Sequence, residues 1–200
     1  MSGRQSRSRR ATYADLLKVP DRFVAEIIHG KLHTTPRPAP RHAYAETSLA
    51  GTLDGPFQNG LGGPGGWWIL VEPELHLLGG DEVLVPDLAG WRTEKMPALP
   101  ETAFFETVPD WVCEVLSPGT AAIDRSEKLP IYAEAGAGHA WLVDPILETL
   151  EVLRSEAGGW RLVTTFRGRT QARAEPFDAI ALDLALVFGG HVADAGGAPA

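Results

Sequence analysis

Short apolar runs, broken by glycine and proline, set the pattern of this chain. Residues 22–29 read as a strand, Gly30 marks a turn, and residues 31–35 return, so the segment predicts a hairpin. Residues 67–71 and 74–78 read as two further strands separated by Pro73. Gly79, Gly80 and Asp81 then turn the chain into the apolar run 82–87. Residues 111–116 and 139–143 have the composition of buried strands, and 149–154 and 160–166 predict a hairpin across Ala157, Gly158 and Gly159. Helical spacing begins at Thr12, where Asp15 completes a capping pattern, and recurs over 42–53, with Tyr44, Leu49 and Leu53 among its apolar positions. A third helix spans 124–135 and ends at Gly136 and Gly138. Pro130 would break its bond to Ser126 unless that helix starts late or kinks. Residues 36–40 are too rich in proline for regular structure, 59–66 hold five glycines and form a loop, 92–107 are irregular, and 181–188 form a last apolar element. This order predicts an α/β domain of the mixed α+β kind, with one central mixed β-sheet flanked by helices.

A chain of 200 residues suits one domain with a full core. The expected layout is a flexible basic arm over 1–10, a single domain over 11–188 and a flexible tail over 189–200. No apolar stretch approaches a membrane span, and the first ten residues lack the apolar segment of a secretory signal, so the expected setting is the cytoplasm. Cys113 is the only cysteine, which excludes an internal disulfide and a thiolate zinc cluster. The net charge is −8; removing the four arginines of the arm from 18 basic residues leaves 14 against 26 acidic ones, or −12. That balance argues against nonspecific coating of a polyanion and leaves room for local phosphate contacts.

The chemistry lies in acids attached to apolar strands. Asp87 ends the run 82–87, and Glu114 sits inside 111–116 among Val112, Cys113, Val115 and Leu116. A buried carboxylate is costly unless its charge is compensated, and two facing one pocket would be relieved by a divalent cation. Lys128 follows on the next predicted helix. Each residue also has a plainer reading. Asp87 can end a strand, Glu114 can pair with Lys128 in a structural salt bridge, Glu26 can point outward and Asp124 can cap a helix. Ser117 lacks the Gly-x-Ser-x-Gly elbow of a nucleophile and reads as a turn residue beside Pro118. The six histidines show no zinc-ligand pair, and the tryptophans at 67, 68, 91, 111 and 141 read as core. Arg154, Arg161, Arg167, Arg169 and Arg173 form the densest basic region outside the arm.

The strings VPDLAGW (85–91), VPDWVCEVLSPGT (108–120), DRSEKLPIYAEAGAGHAWLVDP (124–145) and the early AEIIHGKL (25–32) together resemble the Uma2 family, across residues 12–165. That family resembles a branch of the PD-(D/E)XK nuclease superfamily, with its restriction-endonuclease-like fold. The resemblance implies a metal-dependent endonuclease acting on nucleic acid, DNA in the first instance. Asp87 and Glu114 take the two acidic roles and, with the Val115 carbonyl, bind Mg²⁺ or Mn²⁺. The superfamily lysine normally lies two residues beyond the second acid; here that position is Leu116, and Lys128 resembles the relocated lysine of the Uma2 pattern. Glu26 matches the early family acid, and His42 is a further accessory residue. The resemblance also implies a homodimer, by default an isologous two-fold pair. Two other readings stand beside it: a catalytically silent interaction module that keeps the nuclease fold, and a metal-dependent hydrolase acting on something other than nucleic acid.

Overall fold

Short strands, some alternating in polarity and some apolar throughout, pair into three sheets in the computed structural model, which describes residues 9–189. The basic arm and the tail expected from sequence fall largely on residues 1–8 and 190–200, outside the described residues. Arg9 and Arg10 are described: Arg9 pairs with Asp15 at 2.9 Å, and Arg10 lies 3.8 Å from Asp81.

The first helix, α1 (Tyr13–Leu16), is a single turn, and the Asp15 carboxylate accepts from the Thr12 N–H at 3.0 Å, as the capping pattern predicts. Strands β1 (Phe23–Ile28) and β2 (Lys31–Pro36) form the predicted hairpin. Its two turn residues, His29 and Gly30, both have positive φ (50° and 71°), the geometry that matches strand twist in a two-residue connection. The proline-rich stretch is less irregular than its composition predicts. Pro36 ends β2 opposite Phe23, and Pro40 opens helix α2 (Pro40–Leu53), where its missing N–H costs nothing. The buried face of α2 is Ala45, Glu46, Leu49 and Leu53, whereas Tyr44 is exposed.

Strands β3 (Trp67–Val71), β4 (Leu75–Leu77), β5 (Glu82–Leu84) and β6 (Leu88–Arg92) follow. The run expected to stop at Asp87 instead resumes as β6, because Pro86 interrupts pairing only locally. Val85, Pro86 and Asp87 thus carry the chain from one sheet to another. Strand β7 (Trp111–Val115) is buried along its whole length. Next come α3 (Ala121–Ile123), a wide π turn (Asp124–Lys128) and α4 (Leu129–Ala135). The π turn answers the Pro130 problem: the helix is re-registered before the proline, and Pro130 falls in the first turn of α4. Gly136, with φ 97°, closes α4 in the left-handed conformation. Strands β8 (His139–Asp144), β9 (Thr149–Glu156) and β10 (Gly159–Arg167) complete the large sheet. Short strands β11 (Gln171–Ala172) and β12 (Leu182–Asp183) pair with each other, and α5 (Leu184–Val187) ends the described chain.

The large sheet has six strands in the order β10-β9-β8-β7-β6-β3, mixed because β7 and β8 are parallel and the other pairs antiparallel. A parallel pair needs a crossover, and α3, the π turn and α4 supply it. The smaller sheet runs β2-β1-β5-β4. Alternation along β7 sends Trp111, Cys113 and Val115 into a core with Leu49 and Leu53 of α2, and Val112 and Leu116 into a second core with Ile131 of α4. Phe177 packs edge-on against Trp111 and Trp141 in the first core, with ring centroids 4.9 and 5.5 Å away. Helices on both faces of a mixed sheet match the predicted class, and Cys113 is a buried core residue as expected. No helix among the described residues is long and apolar enough to cross a membrane.

Candidate active site

Glu114 is an ionisable carboxylate inside the otherwise apolar, fully buried strand β7, and its surroundings explain how it is tolerated. The crossover that follows β7 returns Lys128 across the sheet end. Lys128 Nζ lies 2.9 Å from Glu114 Oε1, 2.9 Å from Glu26 Oε1 on β1 and 3.1 Å from the Val85 carbonyl. The Val85 carbonyl accepts its hydrogen bond, and the two carboxylates compensate its charge. Burial works against its charge, but Glu114 and then Glu26 outweigh that and hold Lys128 well above its usual range. One turn further on, the Tyr132 hydroxyl donates to Glu114 Oε1 at 2.7 Å. Burial and the Glu114 charge hold that phenol above its usual range, so it stays a donor. Among the described residues, no donor is aimed at Glu114 Oε2.

Asp87 immediately precedes β6, whose antiparallel register places Leu88 beside Cys113 and so sets Asp87 at the end of β7. Its Oδ2 accepts from the Val115 N–H at 2.6 Å, and its Oδ1 lies 3.3 Å from His42 Nε2. His42, in the first turns of α2, also faces Glu46 one turn along, with Nδ1 3.9 Å from Glu46 Oε2. Burial would lower the His42 pKa, but Asp87 and then Glu46 overcome it, the Val115 carbonyl adds to their effect, and the imidazole is raised above its ordinary value.

These groups share one cleft of about 360 Å³, the size of a small-ligand site. Glu26, His42, Asp87, Glu114 and Lys128, all singled out from sequence, line it. Val115 does not line it; its N–H holds Asp87, and its carbonyl faces His42. One wall is Thr35, Pro36 and Arg37 at the end of β2, and the other is the turn from Ser117 to Thr120. Ser117 Oγ pairs with Thr120 Oγ1 at 3.0 Å, the turn role expected of it. Asp124 is no simple cap: it is buried in the π turn, lines the cleft and lies 4.0 Å from Lys128. Burial lifts its pKa to about 6; Lys128 and a Thr120 hydrogen bond oppose this, and Asp87 and Glu26 add to it. The arginines at 154, 161 and 169 pair instead with Glu175, Glu156 and Glu148, away from the cleft.

Sequence reasoning missed Glu46, Asp124 and Tyr132 as parts of this site. Glu46 had a signal: it lies three and seven residues before Leu49 and Leu53, on the apolar face of α2. Tyr132 follows Lys128 by four residues, which places both on one helical face.

The donor set suits a hard dication. Carboxylate oxygens of Asp87 and Glu114 face one cleft, and Glu114 keeps one oxygen free of protein donors.

Comparison with known proteins agrees with this architecture. A family model described as Uma2, "Putative restriction endonuclease", matches residues 11–186. No curated protein matches the chain. A solved structure described as a "putative nuclease belonging to DUF820" from Anabaena variabilis superposes with a TM-score of 0.72 at 20% identity, covering 90% of this chain and 98% of that one. At that identity the likeness establishes the fold, a mixed α+β architecture of the restriction-endonuclease-like class. With its family pattern matched from α1 into α5, the chain is a member of the Uma2 family.

Proposed function

We propose that this protein is a metal-dependent endonuclease that hydrolyses phosphodiester bonds in nucleic acid, with DNA as substrate. The observation that carries the reading is the convergence of Asp87, Glu114 and Lys128, from three distant parts of the chain, on one cleft. Family membership and the fold support it. Asp87 and Glu114 would hold Mg²⁺ or Mn²⁺; the Val115 carbonyl, which does not line the cleft, drops out of the ligand set. That ion supplies Lewis acidity at the phosphate and a lowered pKa for water. The protein's own part is positioning and charge. Asp87 is fixed by the Val115 N–H and His42, and Glu114 by Lys128 and Tyr132, so both carboxylates are pre-oriented. Lys128 is too firmly protonated to act as a base; it stabilises negative charge on the phosphoryl oxygens once substrate displaces one of its acceptors. Arg37, on the cleft wall and half-exposed, suits a flanking phosphate. A two-fold homodimer would present two such clefts to the two strands of a duplex, and a cytoplasmic setting belongs to the same proposal.

One observation favours a second reading, the silent module: Lys128 is already held by two carboxylates at 2.9 Å and by the Val85 carbonyl. Incubating end-labelled duplex DNA and RNA with the protein, with and without Mn²⁺ or Mg²⁺, separates the two. The expected result is cleavage that chelation stops and that falls about 10²-fold or more in Asp87→Ala and Glu114→Ala. Cleavage equal in both variants and the parent, or none with either ion, sinks the enzyme reading.

A further inference from the structure

The end of the large sheet that carries the cleft extends beyond it. Asp87 holds the end of β7, where Val115 stands beside Val143 of β8. Asp144 then stands beside Thr149 of β9, and Thr149 beside Arg167 of β10, so these strand ends form one row. Four spacings of about 4.8 Å separate Asp87 from Arg167, roughly 19 Å, or about six phosphates of one nucleic-acid strand at about 3.4 Å each. The tip of the β8–β9 hairpin stands within this row. Pro145 is buried there, whereas Ile146 and Leu147 are 54% and 71% exposed. They are the one consecutive pair of large apolar residues, among those described, with both more than half exposed. Asp144 Oδ1 accepts from both of their N–H groups, at 2.9 and 2.8 Å, and the Gly168 N–H donates to the Glu148 carbonyl at 2.8 Å. The tip is thus held from two sides. Adjacent aliphatic side chains fixed in water beside a candidate active site mark a contact surface.

Charge around the tip selects the partner. Its acids are engaged: Asp144 by those N–H groups, Glu148 by Arg169 at 3.3 Å, and Glu151 by Arg125 in a two-point pair at 2.9 and 2.6 Å. Arg167 is exposed and, among the described residues, pairs with no carboxylate. A free guanidinium next to exposed aliphatic groups matches a phosphate backbone next to stacked bases. Arg37 supplies a cation on the opposite wall of the cleft. We infer that Ile146 and Leu147 form an apolar wedge that enters the minor groove of duplex DNA and parts a base step, while Arg167 holds a phosphate beside it. Unstacking at the wedge bends the duplex and lets one strand turn into the cleft. The inference rests on the DNA substrate proposed above and goes beyond it, because it assigns a deformation of that substrate to residues outside the cleft.

Anisotropy titration of a fluorescein-labelled duplex with the full chain tests it, with Ca²⁺ in place of Mn²⁺ and with 2-aminopurine placed in turn along the duplex. The parent is expected to bind and to brighten 2-aminopurine at one step, the sign of unstacking. The Ile146→Ser/Leu147→Ser double variant should bind about tenfold more weakly and lose the brightening. Arg167→Gln should weaken binding and reduce the salt dependence by about one phosphate contact. Leu162→Ser, an equally exposed change elsewhere on the large sheet, should leave both signals unchanged. Binding and brightening by the parent without any cleavage in Mn²⁺ supports the wedge, and then the nuclease reading is what fails. Parent-like binding and brightening in the double variant overturns the wedge, whether or not the parent cuts DNA. No duplex binding by the parent overturns it too. A fall from dimer to monomer in the double variant, measured by sedimentation without DNA, would make the tip a contact between copies of the chain and also overturns it.

Discussion

Lys128 sits at the centre of the residue-scale account, because it is the only buried lysine or arginine among the described residues and compensates two buried acids. Removing one partner of a buried charge cluster leaves the others uncompensated. Lys128→Met is therefore expected to cost about 3 kcal/mol or more in urea unfolding, and Glu114→Gln added to it should return part of that. Glu46 and Asp124 give the metal-free protein an inverted pH response. Their folded pKa values lie near 7 and 6, above ordinary values of 4.5 and 3.8. The folded state thus binds more protons than the unfolded chain between those limits, and stability falls as pH rises through that window. Thermal melts should show the parent losing stability between pH 5 and about 8, and Glu46→Gln flattening that loss by on the order of 1 kcal/mol at the upper end. A parent that gains stability over the same range would refute the buried, crowded state of Glu46. Asp87 and Glu114 were legible from sequence because acids attached to apolar runs are rare, and Lys128 through the resemblance to the Uma2 pattern. Glu46 and Tyr132 carried only a helical-spacing signal, since their roles arise from which side of a helix meets the sheet.

At the scale of elements, the crossover between β7 and β8 does the positioning. Its π turn rotates Lys128 toward Glu114 and places Pro130 where no hydrogen bond is lost. The sequence carried the conflict, a proline in a helical pattern, but not its resolution, because a widened turn is chosen by the packing of Lys128 and Tyr132. The same holds at Pro86, where a predicted end of strand proved to be a change of sheet: the pairing partner of β6 lies in β3 and β7, far along the chain. Gly136 closes α4 at φ 97° with open space around it, so an added methyl meets only backbone strain. Gly136→Ala should lower stability by about 1 kcal/mol in denaturant unfolding while leaving the cleft unchanged. A loss several-fold larger would mean that packing, not conformation, selects the glycine.

Across the whole molecule, two sheets meet where Val85, Pro86 and Asp87 pass from one to the other, and the cleft opens at that seam. The small sheet contributes Glu26, the passage between the sheets Asp87, the large sheet Glu114, the crossover Lys128 and α2 the histidine side. The class of fold followed from the order of strands and helices; the division into sheets did not, because short strands of similar composition leave pairing open. If the cleft works as one ion-holding unit, its acids must act together rather than in turn. Rates of supercoiled-plasmid nicking with Mn²⁺, measured for the parent, Asp87→Ala, Glu114→Ala and the double variant, test this most directly. The account predicts that each single change removes nearly all activity and that the double loses little more. Nicking by either single variant at the parent's rate, or losses that multiply in the double as for independent sites, would contradict it.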